Sequence, residues 1–160
     1  PPYGLPKKDG VMLEQEIDFF GVYRLPAGSS EPVLLIDDFE RPNGLAISAD
    51  EKTLYVDDTA RKHIRAFDVE PDGSISNGRI FAELIGEGKG APDGMKLDRH
   101  DNVFCTGAGG VWVFNANGDV LGKIHTDNTT ANIGWGGEDM QTLFLTASTE
   151  VYRVQCKTGA

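Results

Sequence analysis

The chain has few cysteines, no long apolar run and no excess of basic residues. Two cysteines in 160 residues are too few for a disulfide framework. We predict two free thiols, with Cys105 packed in the core as a small apolar residue. Nowhere do about 18 apolar residues follow one another, so no transmembrane helix and no membrane partner is expected. The formal net charge of −10 argues against nucleic acid as a partner, because a phosphate backbone requires clustered Lys and Arg.

Several motifs of catalysis and targeting are also absent. There is no Gly-x-Ser-x-Gly motif, so a Ser-His-Asp triad is not expected. His63, His100 and His125 stand on different turns or outer strands, where solvated or locally bonded imidazoles fit better than metal ligands. The first residues lack the apolar stretch of a signal peptide. Two free thiols favour a reducing compartment, and the cytoplasm is the favoured location.

Glycine and proline, by contrast, are frequent and punctuate the whole chain. Twenty glycines and eight prolines separate short apolar runs, which is typical of an all-β chain with many turns. The runs fall into sets of two, four, four and three strands, about 13 in all. Naming the four strands of a full set A to D, the chain reads CD-ABCD-ABCD-ABC. The charged segment 6–19 is expected to be a loop between strands B and C of the first set.

One segment occurs three times, beginning at Asn43, Asp93 and Asn132. Each copy opens with Asn or Asp, continues through a short strand and a turn, and ends in a second apolar strand. The copies begin 50 and 39 residues apart, close to the spacing of about 40 to 50 residues between β-propeller blades. Six four-stranded blades need about 24 strands, of which about 13 are present. The sequence predicts an all-β, six-bladed β-propeller, of which residues 1–160 form one partial domain, the C-terminal half.

Half a propeller would expose strand edges at both ends. Such edges invite pairing with other chains. We therefore expect self-association, or completion by a missing N-terminal half. A non-catalytic propeller fragment that acts as a binding or assembly module is one hypothesis for the function of the chain.

Asn43 and Asp93 share a frame that the third copy lacks. A proline precedes each of them and a glycine follows, whereas Asn132 stands between Ala and Ile and is interpreted as structural or substrate-facing. Innermost propeller strands line the central channel, so the oxygens of Asn43 and Asp93 would converge there. Hard cations such as Ca²⁺ or Mg²⁺ require several oxygen ligands. Alternatively, both segments are ordinary Pro-Asn-Gly and Pro-Asp-Gly turns.

The two tryptophans have a simpler interpretation. Trp112 is expected in the core rather than stacked on a substrate. Trp135 lies on a predicted inner strand, where core packing and substrate stacking both stay open.

The chain resembles a known family through several motifs together. These are Arg41-Pro-Asn-Gly-Leu-Ala-Ile-Ser, Lys52-Thr-Leu-Tyr-Val-Asp-Asp-Thr, Ala91-Pro-Asp-Gly-Met-Lys-Leu-Asp and Gly109-Gly-Val-Trp-Val-Phe. They are similar to motifs of the gluconolactonase family, which is also named for senescence marker protein and luciferin-regenerating enzyme. Its members are six-bladed propellers that hydrolyse sugar and related lactones at one divalent cation on the axis. The resemblance implies a hydrolase acting on a small-molecule lactone.

The resemblance also implies a site. The family's metal ligands are a Glu near the N-terminus, the Asn of the Pro-Asn-Gly motif and the Asp of the Pro-Asp-Gly motif. Asn43 and Asp93 match the last two, and no glutamate of this chain stands in the motif of the first. Asp93 would be the catalytic general base, or only a ligand while metal hydroxide attacks. Ca²⁺ is the expected cation, with Zn²⁺, Mg²⁺ and Mn²⁺ as alternatives. With two of three ligands, the isolated chain should bind metal weakly and be a poor catalyst.

Overall fold

The computed structural model describes residues 7–8, 11–12 and 15–160, and within them all regular secondary structure is β-strand. Every strand pair in these residues is antiparallel. The strands are β1 (Lys7–Lys8), β2 (Val11–Met12), β3 (Phe20–Arg24), β4 (Val33–Phe39), β5 (Pro42–Ile47), β6 (Thr53–Asp58), β7 (His63–Val69), β8 (Ile75–Glu83), β9 (Met95–Leu97), β10 (Val103–Gly107), β11 (Gly110–Phe114), β12 (Val120–His125), β13 (Thr130–Gly136), β14 (Thr142–Ala147) and β15 (Glu150–Gln155).

Strands β3 to β15 form four successive sheets, which we call blades 1 to 4. Blade 1 is the pair β3–β4, blade 2 is β5-β6-β7-β8, blade 3 is β9-β10-β11-β12 and blade 4 is β13-β14-β15. In every blade, strands that follow one another in the chain are neighbours in the sheet. The predicted division into sets of two, four, four and three strands is confirmed.

The expectation of a plain loop over residues 6–19 is wrong for two short stretches. Strands β1 and β2 pair with each other, Lys7 opposite Met12 and Lys8 opposite Val11. Strands of two residues are too short to show an alternating apolar pattern, and the charged composition of the segment favoured a loop.

Apolar side chains fill the spaces between successive blades, as in a propeller. Because side chains alternate between the two faces of a strand, blades 2 and 3 each pack side chains against both neighbouring blades. The cluster between blades 1 and 2 contains Val22, Ile36, Phe39, Leu54, Val56 and Phe67. The cluster between blades 2 and 3 contains Tyr55, Ile64, Ala66, Ala82, Leu84, Met95, Val103, Cys105 and Phe114. The cluster between blades 3 and 4 contains Phe104, Val111, Ile133, Leu143 and Leu145.

Burial along the second strand of each blade shows which blades are covered on both sides. From Leu54 to Asp58 every residue of β6 is buried, and all of β10 is buried too. In β14 burial alternates, with Leu143 and Leu145 buried but Phe144 exposed. Blade 4 is therefore covered on one face only among the described residues.

The composition led to two expectations, one on the thiols and one on transmembrane helices. Cys105 and Cys156 are both free, and Cys105 is buried among apolar side chains as predicted. The residues that the structure describes form no helix capable of crossing a bilayer.

Candidate functional site

The first strands of successive blades lie side by side, which brings the three copies of the repeat together. Strand β5 contacts β9, and β9 contacts β13. A Cβ atom at position 44 would lie 1.9 Å from the main-chain oxygen of Asp93, and one at position 94 would lie 2.3 Å from Oδ1 of Asn132. Only glycine fits in either place. Gly44 and Gly94, which follow Asn43 and Asp93, therefore allow the inner strands to approach one another.

Asn43 and Asp93 face each other across this approach. The Asn43 side chain donates a hydrogen bond to the Asp93 carboxyl group, and its Nδ2 also donates to Thr59 Oγ1 at 3.2 Å. Both residues are partly buried. The predicted pair is thus brought together, with an amide and a carboxyl group from two blades side by side.

Thr59 forms hydrogen bonds to both segments that precede Asn43 and Asp93. Its N–H donates to the Arg41 carbonyl at 3.0 Å, and its hydroxyl donates to the Pro92 carbonyl at 2.7 Å. The same hydroxyl accepts the hydrogen bond from Asn43. Thr59 therefore holds the chain before Asn43 and the chain before Asp93 at a fixed separation.

Asp58 fixes the main chain just before Asn43. Its carboxylate is fully buried and accepts four main-chain N–H groups, from Glu40, Arg41, Ala60 and Arg61, at 2.8 to 3.1 Å. A carboxylate with several backbone donors is held in one orientation and holds those segments in turn. The role of Asp58 is structural: it joins the end of β4 to the turn between β6 and β7.

A β-bulge places Asn43 at the site. Pro42 pairs with Asp58 and Leu45 with Val56, so that Asn43 and Gly44 both stand opposite Asp57. A bulge of this kind bends its strand and re-aims a side chain. In blade 4 the irregularity lies one residue before Asn132, which pairs one-to-one with Thr146. Asn132 is therefore not presented as Asn43 is, which explains physically why the third copy differs.

Asp57 is the least expected group beside the pair. It is 0 % exposed and lies in the seam between blades 2 and 3, where it accepts the Gly44 N–H and the Cys105 S–H, the latter at 3.6 Å. Burial raises the pKa of the Asp57 carboxyl to about 8. Burial, together with the neighbouring Asp57, raises the pKa of the Cys105 thiol well above its usual range. Both groups keep their protons at neutral pH, and Cys105 is no nucleophile.

The electrostatics of Asp93 and its donor set suit a hard cation. Burial raises the pKa of the Asp93 carboxyl, while the hydrogen bond from Asn43 opposes that shift. Carboxylate and amide oxygens are the ligands that Ca²⁺ and Mg²⁺ prefer. Within residues 15–160, however, no three His, Cys, Asp or Glu side chains are arranged to hold a metal ion. The described residues thus offer two side-chain oxygens rather than a full coordination sphere.

The other candidate side chains have structural surroundings. Asn132 is exposed, and its Oδ1 accepts the N–H of Ile133 at 2.8 Å. Trp112 stacks on Phe114 and donates its indole N–H to a main-chain oxygen. Trp135 packs edge-on against Phe104, which favours the core interpretation that the sequence left open. The three histidines join no metal-binding cluster in the described part of the chain.

Sequence reasoning missed Asp57, Asp58 and Thr59 as neighbours of the site. All three stand at or just after the end of β6, and they are the polar end of the apolar run that begins at Leu54. Three polar residues at the end of a buried second strand were a usable signal. Each of them has a hydrogen-bond partner 17 to 48 residues away in the chain, and no sequence pattern gives those pairings.

The fold and the paired side chains define a class: a β-propeller with an Asn–Asp pair beside its inner strands. A family model described as "SMP-30/Gluconolactonase/LRE-like region" matches residues 7–149, and the chain belongs to this family. The chain is 36% identical to a gluconolactonase of Zymomonas mobilis, in an alignment covering 99% of this chain and 46% of that protein. The predicted family is confirmed.

Solved structures agree with this assignment. A gluconolactonase from Xanthomonas campestris superposes with a TM-score of 0.83 at 35% identity, covering 96% of this chain and 50% of that one. A luciferin-regenerating enzyme superposes with a TM-score of 0.78 at 21% identity, covering 88% of this chain and 53% of that enzyme, and shares the fold. The chain thus spans about half the length of the relatives that it matches. The predicted architecture, about half of a six-bladed propeller, is confirmed.

Proposed function

We propose that this chain carries part of the active site of a divalent-cation-dependent lactonase, with Asn43 and Asp93 as metal ligands. The observation that carries the proposal is the hydrogen-bonded contact between Asn43 and Asp93, which come from neighbouring blades. The family supports it, because the similar proteins from Zymomonas and Xanthomonas are gluconolactonases. The proposed substrate is accordingly a small-molecule lactone of the sugar-lactone class.

The cation that we propose is Ca²⁺, with Zn²⁺, Mg²⁺ and Mn²⁺ as alternatives. Asn43 and Asp93 would hold it through an amide oxygen and a carboxylate oxygen, a donor set of the hard type. A bound cation of this kind polarises an ester carbonyl and lowers the pKa of water. Two side-chain ligands imply weak binding by this chain alone, and the isolated chain is expected to be a poor catalyst.

Asp93 has the properties of a proton acceptor in such a site. Burial raises the pKa of its carboxyl group, and a carboxylate placed next to the attacking water could take its proton. Asp93 is only partly buried. In the alternative role Asp93 is a ligand only and takes no proton from the attacking water.

The activity test combines this chain with the part of a relative that the chain does not cover. Gluconolactone hydrolysis is followed by acid release for the chain mixed with the N-terminal half of the Zymomonas gluconolactonase. We expect little hydrolysis by the chain alone, an increase in the mixture, and loss of that increase on adding EDTA or with Asp93→Ala. Asp37→Ala, which removes an exposed carboxylate on β4, is the matched control and should keep the increase. Equal rates with wild type and Asp93→Ala contradict the proposal.

A second candidate function is that of an assembly module without chemistry. Large apolar side chains are exposed on both terminal blades: Tyr23, Val33 and Leu34 on blade 1, and Phe144 and Val151 on blade 4. Val151 is 72 % exposed on the edge strand β15, and such edges favour pairing. We propose that the chain self-associates or is completed by an N-terminal half through these surfaces. Sedimentation of wild type and Val151→Lys tests this, because the charge should reduce association. The cytoplasmic location stays a prediction.

A further inference from the structure

The seam between blades 2 and 3 contains a buried acid that the proposed reaction does not use. Asp57 points from β6 towards blade 3, in the same space as Cys105. It is 0 % exposed, and its Oδ1 has no hydrogen-bond partner among the described residues. Burying a carboxyl group with an unpaired oxygen is costly, and an apolar residue of similar size would suit an apolar seam better. Such a cost requires a compensating role.

The contacts of Asp57 indicate what that role is. Its carboxyl group accepts the main-chain N–H of Gly44, the residue directly after Asn43. The same group lies beside blade 3, since a Cβ at position 44 would be 2.5 Å from Asp57 Oδ2 and 1.9 Å from the Asp93 main-chain oxygen. Three segments, carrying Asn43, Asp57 and Asp93, therefore meet at one point.

The bulge makes this contact necessary. Because Asn43 and Gly44 both stand opposite Asp57, one residue in this part of β5 has lost its regular ladder partner. The side-chain carboxyl of Asp57 supplies an acceptor to the Gly44 N–H in place of the strand backbone. The donor from Cys105 on blade 3 then fixes the orientation of that carboxyl group.

We propose that Asp57 is a positioning residue of the Asn43–Asp93 pair: its carboxyl group holds the Gly44 main chain, and thereby the Asn43 amide, against Asp93 of the next blade. It acts through Gly44 and touches neither cation nor substrate. As far as cation binding is concerned, the inference rests on the proposed function. The part of the inference that concerns the positions of Gly44 and Asn43 does not depend on the proposed function.

The equivalent position of the next blade supplies a matched control. Leu45 pairs with Val56 and Met95 with Cys105, so Thr106 of β10 corresponds to Asp57 of β6. Thr106 is also fully buried, and its hydroxyl has no partner among the described residues. Its side chain lies on the same face of β10 as Phe104, in the seam between blades 3 and 4, to which Asn132 belongs. Thr106→Val therefore removes a comparable buried hydroxyl from the other face of β10, and it keeps the main-chain hydrogen bond from Thr106 N–H to the Gly94 carbonyl.

The experiment compares Asp57→Val, Asp57→Asn and Thr106→Val with wild type. Valine keeps the approximate size and strand preference but removes the acceptor, whereas asparagine keeps an acceptor oxygen for Gly44 and Cys105. Amide hydrogen exchange of Gly44 and the NMR signals of the Asn43 side-chain amide are recorded with EDTA. Ca²⁺ affinity is then measured by calorimetry. For Asp57→Val we expect faster Gly44 exchange, shifted Asn43 signals and about ten- to hundredfold weaker Ca²⁺ binding. Asp57→Asn and Thr106→Val should remain close to wild type.

Two outcomes overturn the inference. One is wild-type Gly44 exchange and Asn43 signals in Asp57→Val, and the other is an Asp57→Asn that loses as much as Asp57→Val. If wild type itself binds no Ca²⁺, the proposed function fails, and the exchange data alone still decide whether Asp57 positions Asn43. A folded Asp57→Asn with wild-type readouts, next to an impaired Asp57→Val, supports positioning by the acceptor oxygen even if Asp57→Val is less stable.

Discussion

Asn43 on blade 2 donates a hydrogen bond to the carboxyl group of Asp93 on blade 3. The two residues are 50 positions apart in the chain and meet because successive inner strands approach closely. The approach depends on Gly44. Thr59 fixes the contact through its hydrogen bonds to Asn43 and Pro92, and Asp57 accepts the N–H of Gly44. Each of these three positions gives a prediction.

The close approach of the inner strands predicts a large effect of a single methyl group. In Gly44→Ala the added Cβ would lie 1.9 Å from a main-chain oxygen of the next blade, so backbone must shift. We expect the free energy of unfolding to fall by about 1–3 kcal/mol, measured by urea denaturation. Gly134→Ala, on the inner strand of blade 4 with nothing within 4 Å of the added Cβ, should change it by less than about 0.5 kcal/mol. Equal effects of the two substitutions would show that blades 2 and 3 are not packed in this way.

The bridge made by Thr59 predicts a loss that a hydroxyl restores. Thr59→Val keeps the shape of the side chain but leaves the Pro92 carbonyl and the Asn43 amide without their shared partner. We expect a loss of about 1 kcal/mol in the free energy of unfolding and weaker cation binding. Thr59→Ser keeps the hydroxyl and should retain most of both. A valine variant that binds the cation as tightly as wild type would remove Thr59 from the site.

The buried Asp57 predicts a dependence of stability on pH. The pKa of its carboxyl rises from 3.8 to about 8 on folding, so between these values the folded state holds a proton that the unfolded state has released. The free energy of unfolding therefore falls as pH rises from about 4 to 8, by up to roughly 5 kcal/mol from this group. Asp57→Asn lacks this contribution and should lose less stability over the same range.

The measurement is denaturant unfolding at several pH values in EDTA. Asp37→Asn, at an exposed position, is the control and should keep the wild-type slope. If Asp57→Asn and wild type lose stability in parallel, Asp57 is ionised in the folded protein and the pKa assigned to it is wrong.

The fold could be predicted largely because the residues that end its strands are visible locally in the sequence. Glycine, proline and turn sequences separate the strands, and the same apolar pattern returns at blade spacing, so four sets of strands were identifiable. The pair β1–β2 was missed because each strand has two residues and the surrounding sequence is charged. Register was not predictable either: the bulge at Asn43 and Gly44 depends on how β5 meets β6.

The site could be predicted only in part. Asn43 and Asp93 stand in the same frame of a repeat, and a repeat can be seen in sequence. Asp57, Asp58 and Thr59 act through hydrogen bonds to distant main-chain groups, and their geometry arises only when the blades pack. The flanking residues already set Asn132 apart in the sequence, but the displaced bulge that changes its surroundings required the structure.

The most direct test of a cation site at Asn43 and Asp93 is a calorimetric titration of Ca²⁺ into wild type, Asp93→Ala and Asp37→Ala. The two variants remove one carboxylate each, so they change the net charge equally and differ in whether the carboxylate lies next to Asn43. We expect weak but saturable binding to wild type and to Asp37→Ala, with binding to Asp93→Ala reduced at least about tenfold. Equal binding to all three proteins would contradict this expectation, because the cation would then bind elsewhere than at Asn43 and Asp93.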